Sequence, residues 1–176
     1  MLAADVDVLV FRILHITAGV MWTGSVFLFV MFVRPSAAAI APAGAPFMAE
    51  LLGKRRLVHW LLGFAAVTIV AGAYLYWKDW DAAGSFGDWL GSDFGLALTV
   101  GAVAAIVAFL IGLFATRPAV DRMLAIGREV AGSGGPPSPS QAAALEAIQQ
   151  RQKTMSTASL SLIAIAVVAM AVARYL

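Results

Sequence analysis

The sequence predicts an all-α protein, an integral membrane four-helix bundle with up-down-up-down topology and both termini outside. Of its 176 residues, 61% are hydrophobic and 12% are charged, whereas a soluble domain is nearer ~25% charged. Four uncharged runs reach the ~20 residues with which a helix crosses a bilayer; they cover 13–33, 57–77, 94–116 and 154–173. Since backbone groups in lipid must bond within their own segment, these runs predict helices.

We expect one transmembrane domain over 1–176, and its helices lie at about 6–34, 56–78, 94–117 and 153–174. The first helix is retained as a membrane helix, because the N-terminus lacks the basic region and short apolar core of a cleaved signal peptide. Short loops between the helices favour the up-down-up-down bundle.

The first and third predicted helices both end in an Arg-Pro pair, at Arg34-Pro35 and Arg117-Pro118. Two interpretations fit this repeat. Either a two-helix hairpin was duplicated, or arginine simply lies at the membrane interface and proline ends each helix.

The segment 132–140, with the sequence GSGGPPSPS, has the composition of a flexible linker. Ser140 is the predicted N-cap of the helix that follows it. That helix would run on into the fourth span, so we expect the fourth helix to protrude from the membrane.

Basic residues are distributed unevenly between the predicted loops, and this sets the orientation. Nine of the twelve lie in the first and third loops: Arg34, Lys54, Arg55, Arg56, Arg117, Arg122, Arg128, Arg151 and Lys153. The positive-inside rule places these two loops in the cytoplasm and both termini outside. We therefore expect a multi-pass protein of a bacterial-type inner (plasma) membrane. Four tryptophans are predicted to anchor the helices at the interfaces: Trp60, Trp77, Trp80 and Trp89.

Composition narrows the chemistry that the chain can perform. There is no cysteine, which excludes disulfides, thiolate ligands and cysteine-based catalysis. We find no nucleophile–base pair, carboxylate pair or phosphate-binding glycine loop, and we assign no catalytic residue. The expected partners are the lipid bilayer and a homodimer or larger membrane complex, and we expect no nucleic acid.

The first predicted helix carries the most informative polar residues. His15, Gly19 and Trp22 share one of its faces, because a helix has ~3.6 residues per turn. Ionisable groups inside a span are rare and often functional, so His15 is a candidate ligand or proton-handling residue, or else an inter-helix hydrogen-bond donor. Trp22 lies too deep for an interfacial belt. We expect it to pack in the core and its N–H to find a partner inside the bundle.

The second histidine, His59, belongs to the opposite end of the bundle. Antiparallel first and second helices place His15 and His59 ~20–25 Å apart along the membrane normal, so one metal cannot bind both within one chain. We predict that His59, which has Gly63 four residues later, is an interfacial histidine. Met170 lies near the depth of His15, and its thioether could complete a haem or copper(I) site with that imidazole.

The motif R-x-x-H-x-x-A-G-x-x-W-x-G-S-x-F, which starts at Arg12 and contains His15, Gly19 and Trp22, resembles the opening helix of the membrane domain of bacterial urate oxidases. With its continuation to Arg34-Pro35 and a second helix containing Gly72, the chain looks like the copper-resistance D family and its short four-helix relatives. More distantly it is similar to the membrane-bound protoporphyrinogen oxidase that carries haem b. The resemblance implies that His15 occupies the position of the first-helix histidine, a haem or metal ligand.

The leading functional expectation is a haem b-binding membrane protein of redox or electron-transfer type, with His15 as axial ligand. The candidate cofactor-binding residues are His15, Gly19, Trp22, Met170 and His59, and His15 is the candidate metal ligand. Two alternatives remain open at this stage. One is a copper-handling membrane protein, and the other is a structural or accessory membrane subunit without a cofactor.

Overall fold

The computed structural model describes residues 6–176, and within them the chain forms helices and no strand. Four helical stretches are long and apolar enough to span a membrane: Val6–Ala39, Leu57–Ala83, Asp93–Ser133 and Pro139–Ala173. This confirms the predicted all-helical class and the number of potential spans. Individual α-helices are α1 Val6–Leu28, α2 Arg34–Ala39, α3 Gly44–Ala49, α4 Leu57–Ala83, α5 Phe86–Gly91, α6 Asp93–Ile111, α7 Arg117–Ser133 and α8 Pro139–Ala173.

The bundle consists of two closely packed helix pairs, α1 with α4 and α6 with α8. In the first pair, His15 lies against Gly72, Gly19 lies beside Thr68, and Trp22 packs in one cluster with Ala65. Residue numbers therefore rise along α1 as they fall along α4, so the two helices run antiparallel. The second pair shows the same order, because Gly101 lies against Met170 while the carbonyl of Ala108 accepts a hydrogen bond from Ser159 Oγ.

One layer of the core joins all four long helices. It contains Trp22 from α1, Ala65 from α4, Ala108 from α6 and Ile163 from α8, all of them buried. The two alanines let the backbones of α4 and α6 approach closely, which is the usual basis of helix association in lipid. The predicted role of Trp22 in core packing agrees with this position.

Both Arg-Pro pairs follow a π-helical turn, and neither of them ends its helix. The turns cover Phe29–Val33 and Gly112–Thr116, and α2 and α7 continue directly after them. The backbone N–H of Arg34 donates to the carbonyl of Phe29, five residues earlier. Proline normally clashes with the carbonyl four residues before it; the wider turn moves the carbonyls and lets the helix continue. The predicted helix ends near 34 and 117 were therefore too early.

The fourth long helix begins before the predicted N-cap Ser140. Ser138 is the N-cap of α8: its Oγ accepts a hydrogen bond from the backbone N–H of Gln141, and Gln141 Oε1 accepts one from the backbone N–H of Ser138. This is a capping box, and Pro139 takes the first helical position, where no N–H donor is needed. With 35 residues, α8 is ~52 Å long, longer than the ~30 Å hydrocarbon core.

Contacts between helix ends place the two basic loops at the same end of the molecule. Arg34 Nη1 donates to Ser156 Oγ at 2.5 Å, and Gln152 Nε2 donates to the carbonyl of Thr116 at 3.3 Å. Beside these bonds, Leu52, Val58 and Val120 form a buried apolar cluster. We call this the basic end of the bundle, and we call the opposite end, which carries the α4–α6 connection, the acidic end.

At the acidic end, Trp89 is 2% exposed and does not act as an interfacial anchor. Its ring makes edge contacts with Tyr76 and Phe94, and a Cβ at Gly95 would collide with its carbonyl and indole. The prediction for Trp89 was therefore wrong, because the short helix α5 folds this side chain inward. Trp60 and Trp77 are more than half exposed and Trp80 is 38% exposed, as interfacial residues would be.

Candidate functional site

His15 is held between α1 and α4 by a hydrogen bond to the backbone. Its Nδ1 lies 2.8 Å from the carbonyl oxygen of Thr68. A carbonyl oxygen can only accept, so Nδ1 carries the proton and donates. In the neutral imidazole the lone pair is then on Nε2, for which no partner exists among residues 6–176.

Thr68 can serve as the acceptor because its own side chain is already satisfied. Its Oγ1 donates to the carbonyl of Phe64 at 2.8 Å, one turn back along α4, and the residue is buried. Its carbonyl faces the N–H of Gly72 in the helix and still has a second lone pair. The imidazole of His15 therefore takes up a free acceptor position without breaking the helix.

Gly72 provides the space that the ring of His15 occupies. A Cβ at position 72 would lie 2.8 Å from both Cε1 and Nδ1 of His15, which is closer than side chains can approach. A Cβ at Gly19, by contrast, would lie 3.5 Å from Thr68 Cγ2, an ordinary contact distance. The glycine that makes room for His15 is thus Gly72 on the neighbouring helix, and not Gly19.

Trp22 lies two turns from His15, in the central layer of the core. It is 7% exposed and contacts small or apolar side chains. No acceptor for its indole N–H is found among the described residues. Its role is therefore to pack in the apolar core layer that lies next to His15 and Gly19 along α1.

His59 lies on a different part of α4 from the residues that contact His15. Thr68 and Gly72, which contact His15, are nine and thirteen residues beyond His59, a rise of ~14–20 Å. This is shorter than the expected 20–25 Å, because the register of α1 against α4 is set by Gly72. The separation still far exceeds the ~2 Å reach of a metal–nitrogen bond, so the two histidines cannot bind one ion within a chain. The Nδ1 atom of His59 is buried and has no hydrogen-bond partner among residues 6–176.

Met170 packs within the second helix pair. Its Cγ and Cε lie 3.1 and 3.4 Å from the Cβ that Gly101 lacks, so this methionine fills the groove between α8 and α6. No group of three or more His, Asp or Glu side chains able to hold a metal ion is found in the described part of the chain. His15 therefore stands as a single oriented imidazole.

The sequence singled out His15 but did not identify Thr68, the residue that orients it. A polar residue followed by a glycine four positions later, within an otherwise apolar helix, was the available signal. The sequence analysis noted Gly72 only because of the family resemblance, and not because of its spacing from Thr68. The helix register decides which glycine faces the imidazole, and single-helix periodicity could not supply it.

The fold and the site together define a class: a four-helix chain of the multi-pass membrane type, with one oriented histidine between two of its potential spans. Comparison of the chain with protein-family models, curated proteins and solved structures finds no match.

Proposed function

We propose that the chain is a haem b-binding integral membrane protein of redox or electron-transfer type, with His15 as an axial ligand of the iron. The observation that carries this proposal is the hydrogen bond from His15 Nδ1–H to the carbonyl of Thr68. Histidines that bind metals almost always donate the other ring N–H to a carbonyl or carboxylate, which fixes the tautomer and orients the ring. The arrangement leaves Nε2 as the ligating atom.

The surroundings of His15 are apolar. Gly72 makes room for the imidazole itself, Gly19 faces Thr68, and Trp22 packs in the apolar core layer two turns further along α1. A haem bound here would supply a one-electron redox couple within the membrane. The protein would supply the ligand, its orientation and an apolar environment that excludes water.

The fold suggests how the chain lies in the membrane. We propose an up-down-up-down bundle with the basic end in the cytoplasm and both termini outside, in a bacterial-type inner membrane. Nine of the twelve Lys and Arg residues support this orientation under the positive-inside rule. Kinship with the copper-resistance D-like family belongs to the same proposal and rests on the motif around His15.

The test is the absorbance spectrum of the purified protein and of two histidine variants. A Soret band is expected in the wild type, and it should be lost in His15→Ala with the helical content retained. His59→Ala is the matched control and should keep the band, because His59 lies ~14–20 Å from the site along α4.

Four other outcomes would contradict the proposal, each in a different way. An unchanged spectrum in His15→Ala, together with a lowered thermal midpoint, would show that His15 is only a structural donor. Loss of the band in His59→Ala would move the site to the basic end. Bound copper without a Soret band would support the copper-handling alternative, and a chain with neither would support a structural subunit.

A further inference from the structure

An open groove of about 360 Å³ lies at the basic end of the bundle, between the end of the first long helix and α3. All six residues that line it are uncharged, and Ser36 alone among them has a polar side chain: Phe32, Val33, Ser36, Ala37, Ile40 and Phe47. The two phenylalanines and Ile40 are each more than half exposed. Apolar surface concentrated in this way marks a site that a partner or the membrane covers.

The walls of the groove are held in place by contact between the backbones of α2 and α3. A Cβ at Gly44 would collide with the carbonyl of Ala37, so only glycine lets the two short helices come this close. The backbone N–H of Gly44 also donates to the carbonyl of Ile40 at 3.2 Å, which closes the turn between them. The groove is therefore a fixed feature of this loop.

The segment around the groove carries no charge, although it belongs to one of the two basic loops. Residues 35–49 contain no Asp, Glu, Lys or Arg. Arg34, which precedes them, is directed toward α8, where its Nη1 donates to Ser156 Oγ. Glu50, which follows them, is paired with Lys54. The hairpin of α2 and α3 therefore has no charged side chain of its own that must stay in water.

The groove continues the exposed apolar surface of the first potential span. The rings of Phe27 and Phe32 make an edge contact with their centroids 5.8 Å apart, and both side chains are about half exposed. Since the uncharged run 13–33 matches the ~30 Å hydrocarbon core, Phe32 lies at its edge. From Phe32 to Ile40 the chain rises a further ~12 Å, so the groove extends into the headgroup layer. A bilayer covers such an overlong apolar surface by local thickening or helix tilt.

We propose that the groove binds an acyl chain of a phospholipid from the leaflet at the basic end of the bundle. The hairpin of α2 and α3 then lies in the interfacial layer of that leaflet, with its exposed phenylalanine and isoleucine side chains against lipid. Lipid is the occupant that the position of the groove favours, because the groove is continuous with the surface that the first span presents to the bilayer. This assignment does not depend on the binding of haem.

The experiment uses single cysteines that carry the fluorophore NBD, in a chain with no native cysteine. Ile40→Cys and Phe47→Cys report on the groove. Ala43→Cys is the matched control, since Ala43 is an exposed residue of the same loop that does not line the groove. Each protein is placed in nanodiscs that hold one chain, made of phosphatidylcholine with or without a nitroxide on the upper part of its acyl chains. The nitroxide should quench the fluorophore at positions 40 and 47 and leave it bright at position 43.

A second variant tests the groove itself. Ser36→Asp adds a carboxylate among the lining residues, so it should reduce the quenching at position 40, whereas Ala43→Asp should not. Equal fluorescence of positions 40 and 47 in the two lipids would show that the groove faces water and would overturn the proposal. Quenching that disappears when two chains share one nanodisc would assign the groove to a second copy of the chain instead.

Discussion

The imidazole of His15 owes its orientation to a residue that has no side chain. Gly72 leaves the volume in which Cε1 and Nδ1 lie, and Thr68 offers the carbonyl that fixes the tautomer. A histidine in an apolar helix would otherwise be free to rotate toward the membrane surface or to another acceptor. Two residues one turn apart on α4, Thr68 and Gly72, therefore fix the orientation of the ring.

Gly72→Ala should disrupt the site more than a glycine-to-alanine change normally does in a helix. The added methyl would lie 2.8 Å from two ring atoms of His15, so the imidazole must rotate and lose its bond to Thr68. We expect destabilisation of ~1–3 kcal/mol from overpacking, against the gain in helix propensity that alanine usually brings. The Soret band should also shift or weaken.

Gly63→Ala is the matched control for this change. Position 63 lies on the same helix, and a Cβ there would meet nothing within 4 Å. It should leave the thermal midpoint unchanged or slightly raised, with an unaltered spectrum. If the two variants behave alike in midpoint and spectrum, the steric role of Gly72 is refuted.

At the scale of elements, the two helix pairs share a feature that side chains alone did not reveal. The π-helical turns Phe29–Val33 and Gly112–Thr116 lie 83 positions apart, as do the two Arg-Pro pairs that follow them. The same local irregularity at the same offset favours duplication of a two-helix hairpin over coincidence at the interface. The chemistry was not duplicated with it, because the positions 83 residues after His15 and Trp22 hold Leu98 and Ala105.

The two arginines that follow the π-helical turns have different environments. Arg34 is half-buried and bonds to α8, through Ser156 Oγ at 2.5 Å and the Gln152 carbonyl at 3.4 Å. Arg117 is exposed and has no hydrogen-bond partner among the described residues. Arg34 therefore connects the end of the first long helix to the last one, at the basic end of the bundle.

Arg34→Ala should lower the stability of the bundle by ~1.5–3 kcal/mol, the range for hydrogen bonds to charged groups. Thermal unfolding in detergent is the measurement, and Arg117→Ala is the control, for which we expect little change. A double-mutant cycle with Ser156→Ala isolates the bond, since the coupling energy should account for most of the loss. Additive effects of the two substitutions would show that the bond contributes nothing measurable.

At the scale of the whole molecule, the contacts at the basic end constrain how the chain can cross a membrane. The loops that carry nine of the twelve basic residues are held together by Arg34–Ser156, Gln152–Thr116 and a shared apolar cluster. A topology that puts these two loops on opposite sides of the bilayer would break all of these contacts. The proposed topology accordingly places both loops in the same compartment.

Labelling of single cysteines tests which compartment this is, and the native chain has no cysteine to remove first. In intact cells, an impermeant maleimide should label Ala83→Cys at the acidic end. It should leave Ala43→Cys and Gly135→Cys at the basic end unlabelled until the membrane is opened. Outside labelling of Gly135→Cys would reverse the proposed orientation.

In the proposed haem site, the sixth coordination position of the iron would link the site to the assembly. A twofold axis along the membrane normal keeps depth unchanged, so a dimer could bring two His15 side chains to one haem. We expect one six-coordinate haem per two chains, measured as the haem-to-protein ratio of the dimer in mild detergent. A monomer that retains six-coordinate haem would instead assign the position to a group of the same chain, with Met170 as the candidate.

The sequence by itself determined the helical class, the four potential spans and the identity of the central histidine. Each of these follows from a one-dimensional property: the length of an uncharged run, or the rarity of an ionisable residue within it. The unequal basic loops could also be read directly, because charge does not depend on packing. The ends of the first and third long helices could not be predicted from their Arg-Pro pairs, since a π-helical turn makes a proline compatible with a continuing helix.

Only the tertiary structure decided which groups meet His15. The choice among Gly19, Thr68 and Gly72 depends on the register of α1 against α4, and a shift of one turn would replace every contact of the imidazole. That register follows from the fit of small residues across two helices, which no single helix contains. Tertiary structure also decided the position of Trp89, which its place in the chain predicted to be interfacial and which α5 buries. It likewise decided the partners of Arg34, which lie 118 and 122 residues away in the sequence.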